Sequence, residues 1–307
     1  MSNQEELNKL VSVHLGKAGD GSVVKPYVTP DEVDSGLLVA VPRHLNRTAY
    51  DLNDRNLPFV GFDAWNAYEF STLLTNGFPV SGWLKFSYES DTPNIVESKS
   101  VKLYLNSYNM ARIIKSMDEL YVLEDKIAAD LGNAVGGRVG VCLTVGDVET
   151  VRPMKGDFFA LETYCNVEKM EFNNYNESAD ILEVVPSIGR YERWRSNSLR
   201  SNCRVTNQPD WGDVYIHIKG EKAVTPESLL KYIVSMRKEN HFHEEICECI
   251  YKRLWDLLQP EELLVTCLYT RRGGIDINPS RATDYSVLWE NTRVSDEFNF
   301  CEKTSRQ

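Results

Sequence analysis

Hydrophobic and polar positions change period several times along the chain, and each change marks an element. Between residues 83 and 88, Leu84, Phe86 and Tyr88 alternate with Lys85 and Ser87, the period of a half-buried strand. A turn at 91–94 leads into 95–106, whose second half alternates again and reads as a strand edge. Ser116 followed by Glu119 has the form of a capping box. Leu120, Leu123, Ile127 and Leu131 then recur at helical spacing, with Gly132 as the expected stop. Val139, Val141, Leu143 and Val145 alternate with Gly140, Cys142 and Thr144, predicting another strand. Residues 62–74 mix spacings, so helix and strand both stay open there.

Strand-like pieces follow at 158–163 and 181–185, amid acidic and Asn-rich turns. Beyond them the pattern starts again, with strands near 203–206 and at 214–219. Thr225 caps a helix that has Pro226 at its first position and Leu229, Leu230, Ile233 and Met236 as its buried stripe. A second helix over 242–258 turns Phe242, Ile246, Ile250, Leu254 and Leu257 inward, and Pro260 ends it. A strand at 263–270 closes the series. The order suggests a duplicated α+β unit with largely antiparallel sheets and helices packed on one face. The expected boundaries are an N-terminal extension at 1–45, with a loop at 16–21 and a short strand at 23–28, then modules at 46–185 and 186–307.

Composition narrows the class. The chain has 307 residues, 42% hydrophobic and 26% charged, the balance of a globular protein. Its net charge of −11 argues against a general binder of nucleic acid or anionic membrane, though not against a local basic pocket. No apolar run approaches a membrane span, and the polar, acidic start Met1-Ser2-Asn3-Gln4-Glu5-Glu6 does not read as a secretory signal, so a cytoplasmic location is expected. The seven cysteines are expected to be reduced and mostly buried. There is no Cys-x-x-Cys pair, and His241 and His243 lack a ligand set nearby, so no metal is expected.

Four clusters carry candidate chemistry. Cys203 and Asp210 are separated by polar turn-formers, pairing a nucleophile with a proton donor; Arg200 and Arg204 stand close enough to assist the thiolate, and Trp211 to desolvate the acid. His241-Phe242-His243-Glu244-Glu245 opens a helix; capping alone explains its acids, while a buried carboxylate beside an imidazole would suit the donor edge of a purine-like ring. Glu97-Ser98-Lys99-Ser100 with Lys102 reads either as a solvated strand edge or as a polar pocket for an anionic ligand. Arg271-Arg272-Gly273-Gly274, with Arg281 beyond it, joins phosphate-forking side chains to permissive backbone. No Gly-x-Gly-x-x-Gly or Walker sequence is present, so a nucleotide here would need another kind of site.

Together these residues resemble a known family. Glu97-Ser98-Lys99-Ser100-Val101-Lys102-Leu103-Tyr104 is similar to the signature of the NADPH-dependent 7-cyano-7-deazaguanine reductases, the nitrile reductases of queuosine biosynthesis, a tRNA-modification pathway. Ser201-Asn202-Cys203 through Pro209-Asp210-Trp211, Phe242-His243-Glu244, and Tyr269-Thr270-Arg271-Arg272-Gly273-Gly274 with Asp276-Ile277-Asn278-Pro279 resemble the same family in the same order. The similarity spans about 60–290 and looks like the long, two-module subfamily. It implies tandem tunnelling-fold modules, the fold shared with GTP cyclohydrolase type I, and a homodimer without direct contact to nucleic acid or membrane. It also implies roles. Cys203 would attack the nitrile carbon to form a thioimide and Asp210 would donate the proton. Val96, Glu97, Ser98, His243 and Glu244 would hold the deazaguanine. Ser98, Lys99, Arg272 and Gly273 would contact NADPH, two molecules of which would deliver hydride in succession. Arg204, Met236 and Ser280 depart from the usual pattern. The alternatives are a zinc-dependent cyclohydrolase-like enzyme on the same fold and a non-catalytic pterin- or purine-binding relative.

Overall fold

The computed structural model describes residues 30–187, 191–204, 206–304 and 307. The expected loop at 16–21 and strand at 23–28 lie outside the described residues. The chain divides into two compact units, one built from residues up to Asp54, Trp65–Glu149 and Arg272–Ile275, the other from Arg55–Ala64, Thr150–Arg271 and Asp276 onward. Both are mixed α+β, and their long strands pair antiparallel.

The undecided stretch at 62–74 is a strand, β1 (Val60–Leu74), whose residues from Trp65 on belong to the first unit. Its mixed spacing has a physical cause. Trp65, Asn66 and Ala67 are buried in succession, so both faces of the strand are covered and strict alternation is lost. Strand β2 (Pro79–Glu89) carries Phe86, which stacks on Trp65 with ring centroids 5.3 Å apart. Residues 95–106 do not form a second strand. Strand β3 (Asn94–Val96) is short, and helix α1 (Ser98–Asn106) follows. Glu97, in an extended conformation, starts the helix by accepting the Ser100 N–H at 2.7 Å. Val101, Tyr104 and Leu105 form the buried stripe at helical spacing. The alternation of Val101, Leu103 and Leu105 mimicked a strand because short apolar runs satisfy both periods.

Helix α2 (Leu120–Val135) buries Leu123, Ile127, Leu131 and Val135 completely. Two expectations about its ends are corrected. Ser116 makes no capping hydrogen bond; Glu119 instead accepts the Lys115 N–H at 2.7 Å. The helix also runs through Gly132 and stops at Gly136, whose φ of 77° gives the left-handed cap. Strand β4 (Val139–Thr144) pairs antiparallel with β2, Trp83 opposite Thr144 and Tyr88 opposite Val139.

The second unit is organised on a long hairpin, β5 (Tyr191–Cys203) and β6 (Pro209–Lys219). The strand expected near 203–206 thus begins twelve residues earlier and ends at Cys203; Arg193, Arg195, Ser196, Asn197, Ser198 and Arg200 gave it too little apolar pattern to show. The piece expected at 158–163 shrinks to a two-residue strand, Phe159–Ala160, and one helical turn, Leu161–Tyr164. Helix α3 (Pro226–Ser235) has the predicted Thr225 cap and Pro226 start. A two-residue strand, β7 (Asn240–His241), joins β5 in parallel, with Cys203 opposite His241. Helix α4 (His243–Leu258) buries Ile246, Ile250, Leu254 and Leu258, and strand β8 (Glu262–Tyr269) pairs with β6 along its whole length. Strand β9 (Ile275–Ala282) continues the order past β8.

Val214, Ile216, Val265 and Cys267 share one face of these strands, all of them buried. The opposite face is closed by Met154, Phe158 and helix α5 (Tyr285–Asn291), which brings Val287 and Leu288 against Leu264 and Ala282. Arg281 is fully buried. Its guanidinium meets Asp63 and Glu248, each at 2.8 Å, and bonds the Phe62 carbonyl at 3.1 Å. It therefore belongs to the core of this unit and does not extend the Arg271–Gly274 cluster. Among the described residues no helix is long and apolar enough to cross a membrane, and no group of three or more His, Cys, Asp and Glu is arranged to hold a metal.

Candidate active site

Hairpin register fixes the first group of candidates. Ser201 lies opposite Asp210, and Asn202 opposite Pro209. Side chains alternate along a strand, so Cys203 shares a face with Ser201 and Asp210. Cys203 and Asp210 are then diagonal cross-strand neighbours, a relation that puts Cβ atoms about 7 Å apart. The connecting turn is closed by two backbone bonds, Cys203 N–H to Gln208 O at 2.7 Å and Asn207 N–H to Cys203 O at 2.9 Å. Asn207 takes the left-handed conformation that Asn tolerates, with φ of 56°.

Helix α4 brings His243 and Glu244 in at its first turn, both largely buried. His243 Nε2 is 3.5 Å from Asp210 Oδ2. The imidazole stacks on Tyr269, with centroids 3.8 Å apart and planes 8° from parallel. Tyr269 lies opposite Gly212, where a Cβ would meet the Leu268 carbonyl at 3.1 Å and the Tyr269 ring at 3.2 Å. Glycine at 212 thus leaves room for the ring on which His243 rests. Burial, with Cys267, Cys247 and Asp210 close by, pushes the Tyr269 phenol well up, so it stays a neutral hydroxyl. His243 Nδ1 is buried and makes no hydrogen bond in the described structure. A buried polar atom in that state is costly, and a ligand could supply the missing partner.

One expectation about this group changes. Trp211 does not flank Asp210: strand alternation puts it on the other face, opposite Arg200, with the Arg200 and Arg237 guanidinium carbons 6.0 and 5.3 Å from its ring. His243 and Tyr269 lie close to Asp210. Arg204 turns to Glu245, with Nη1 2.7 Å from Oε2.

The second group lies in the first unit. Val96 is fully buried in β3, where it pairs with Ala40. The buried Glu97 carboxylate caps α1, with the Ser98 hydroxyl donating to Oε1 at 3.4 Å and Lys99 Nζ 4.0 Å away. On the same helix, Lys102 Nζ donates to Gly273 O at 2.8 Å and lies 3.6 Å from Glu69. The turn it reaches is closed by Arg272 N–H to Ile275 O at 2.8 Å, and Gly273 and Gly274 have φ of 60° and 79°. A Cβ on Gly273 would come within 2.9 Å of Lys102, and one on Gly274 within 2.4 Å of Glu69. Lys102 and Arg272 at backbone that only glycine permits make a donor set that fits a phosphate-bearing cofactor. Sequence reasoning gave Tyr269, Ser201 and Gly212 no role in the site. Tyr269 stood in a quoted motif, but only strand register shows which ring it supports.

The family pattern described as "Nitrile reductase, 7-cyano-7-deazaguanine-reductase N-term" matches residues 29–143, and that of a "QueF-like protein" matches 209–286. The NADPH-dependent 7-cyano-7-deazaguanine reductase of Colwellia psychrerythraea is 39% identical over 290 residues, 92% of this chain and 96% of that protein. The reductase of the same name from Bordetella bronchiseptica is 38% identical over 257 residues, 82% of this chain and 89% of the relative. That of Dechloromonas aromatica is 37% identical over 284 residues, 91% and 94%. Among solved structures, the archaeosine synthase QueF-Like in its apo form is similar over 32% of this chain and 91% of its own, at 19% identity and a TM-score of 0.27. Near-complete coverage at this identity assigns the chain: it belongs to the NADPH-dependent 7-cyano-7-deazaguanine reductases, a family of oxidoreductases.

Proposed function

We propose that the protein reduces the nitrile of 7-cyano-7-deazaguanine to the primary amine, in queuosine biosynthesis, through a covalent intermediate on Cys203. The observation that carries the reading is the hairpin face shared by Cys203 and Asp210, with His243 stacked on Tyr269 beside the acid. A nitrile accepts hydride poorly until a nucleophile adds and its nitrogen is protonated. The Cys203 thiolate forms a bond to the nitrile carbon, one C–N π bond opens onto nitrogen, and a protonated Asp210 delivers its proton there, leaving a neutral thioimide and an aspartate. His243 and Glu244 hold the ring, since a carboxylate accepts from the N–H and amino groups of a guanine-like edge. Val96, Glu97 and Ser98 hold it as well. Ser98, Lys99, Arg272 and Gly273 bind NADPH, with arginine suited to a phosphate. When bound, NADPH supplies the hydrides that take the carbon from nitrile to amine. The protein acts as a cytoplasmic homodimer of tandem tunnelling-fold modules.

The test is to mix the protein with 7-cyano-7-deazaguanine and NADPH and follow nicotinamide absorbance. Oxidation that depends on the nitrile is expected. Its absence with folded protein would remove the reading, and stoichiometric zinc in the purified protein would favour a cyclohydrolase-like enzyme instead.

A further inference from the structure

Arg204 follows the proposed nucleophile directly, and its guanidinium is buried against Glu245. Glu245 takes two hydrogen bonds and one ion-pair contact. Its Oε2 takes Arg204 Nη1 at 2.7 Å and the Phe242 N–H at 3.4 Å, and its Oε1 meets His241 Nδ1 at 2.7 Å. The other nitrogen of His241 reaches Glu239 Oε2 at 3.1 Å. Glu239 is anchored in turn, because its Oε1 accepts the Glu177 N–H at 2.9 Å. The four side chains therefore form a chain of alternating charge, Arg204, Glu245, His241, Glu239. Burial works against a charged His241, but the two carboxylates outweigh it and push its pKa up to about 9, so the imidazolium persists at neutral pH.

This chain of charges coincides with a backbone junction. Cys203 pairs with His241 in the parallel bridge of β5 and β7, and Asn202 N–H donates to Glu239 O at 2.7 Å. Side chains and main chain thus fasten one end of the nucleophile's turn to the start of α4, the helix that carries His243. A cation next to a cysteine commonly lowers the thiol pKa. Here the guanidinium faces a carboxylate that balances its charge.

We propose that Arg204 is a positioning residue: with Glu245, His241 and Glu239 it clamps the turn that begins at Cys203, setting the thiol's place relative to Asp210 and His243. This rests on Cys203 being the nucleophile. A displaced nucleophile reacts slowly even when its ionisation is unchanged.

The experiment compares wild type, Arg204→Leu, Arg204→Lys and Glu245→Gln in three measurements. These are amide hydrogen exchange across 203–208, alkylation of Cys203 by iodoacetamide as a function of pH, and adduct formation with the nitrile alone. Arg204→Leu is expected to raise exchange in the turn and to slow adduct formation on the order of 10- to 100-fold. The pH midpoint of alkylation stays where it is in wild type, and Arg204→Lys recovers part of the loss. Glu245→Gln, which keeps the side chain's shape, gives the same direction should Arg204→Leu fold poorly. Unchanged exchange and rate in Arg204→Leu would overturn the proposal. So would an alkylation midpoint displaced upward with the plateau rate retained, since Arg204 would then act on the thiol's ionisation. If wild type forms no adduct, the nucleophile reading fails, and the exchange measurement alone decides whether the clamp exists.

Discussion

Two charged pairs, one in each unit, look alike on paper and differ in kind. Lys102 and Glu69 lie 3.6 Å apart with side chains 37% and 64% exposed. Arg204 and Glu245 lie 2.7 Å apart at 7% and 3%. An exposed pair contributes about 0–1 kcal/mol, because water screens it and two long side chains must be held still. A buried pair contributes little net, yet losing one partner costs about 3–5 kcal/mol, because the other charge is left without compensation. The difference suits the proposed tasks. Residues that receive and release a cofactor need contacts that exchange easily, while residues around a nucleophile need contacts that do not.

The contrast breaks most visibly at the nucleophile. Cys203→Ala is expected to abolish both turnover and the covalent adduct that mass spectrometry detects with the nitrile alone. A surviving adduct would move the chemistry to another cysteine and leave the rigid hairpin without its proposed purpose. A smaller effect, on stability, is expected at the buried triad. Glu248→Ala removes the partner that Arg281 holds through two nitrogens, at 3.1 and 2.8 Å, and should cost about 3–5 kcal/mol in urea unfolding. A loss under about 1 kcal/mol would show that buried and exposed pairs in this protein are worth the same.

The pH dependence of stability sharpens the comparison further. His241 has its folded pKa raised from the ordinary 6.5 to about 9. Its contribution is therefore fully present below pH 6.5 and is lost as pH rises through about 9. The stability difference between wild type and His241→Asn should narrow over that window. A difference that stays flat would mean that His241 is neutral in the fold. Lys102→Ala is expected to have the smallest effect on stability, under about 1 kcal/mol. Its consequence should appear instead as weaker NADPH binding in titrations, because the Gly273 carbonyl loses its tether. Unchanged affinity would separate that turn from the cofactor.

Much of this arrangement was legible before the structure. Helix α4 was readable because Ile246, Ile250 and Leu254 keep one face over about two turns. The residues of the proposed site were readable as motifs. What the sequence hid depended on contacts between distant segments. Residues 98–106 read as a strand because Val101, Leu103 and Leu105 alternate, and only the Glu97 cap and the burial of Tyr104 settle the helix. Trp211 looked like the neighbour of Asp210 because it is adjacent in sequence, whereas adjacency within a strand places side chains on opposite faces. The partner of Arg204 was invisible for a simpler reason: Glu245 is 41 positions away.

That separation has a consequence for synthesis. The hairpin of β5 and β6 closes over a short turn, so it can pair soon after it leaves the ribosome. The strip from Glu239 to Glu245 arrives later, after α3 has been made, and must close a long loop before it fastens to Cys203 and Arg204. Until then the thiol is an ordinary cysteine at the end of a hairpin. The surroundings proposed for that thiol are complete only once this later strip has docked onto the hairpin.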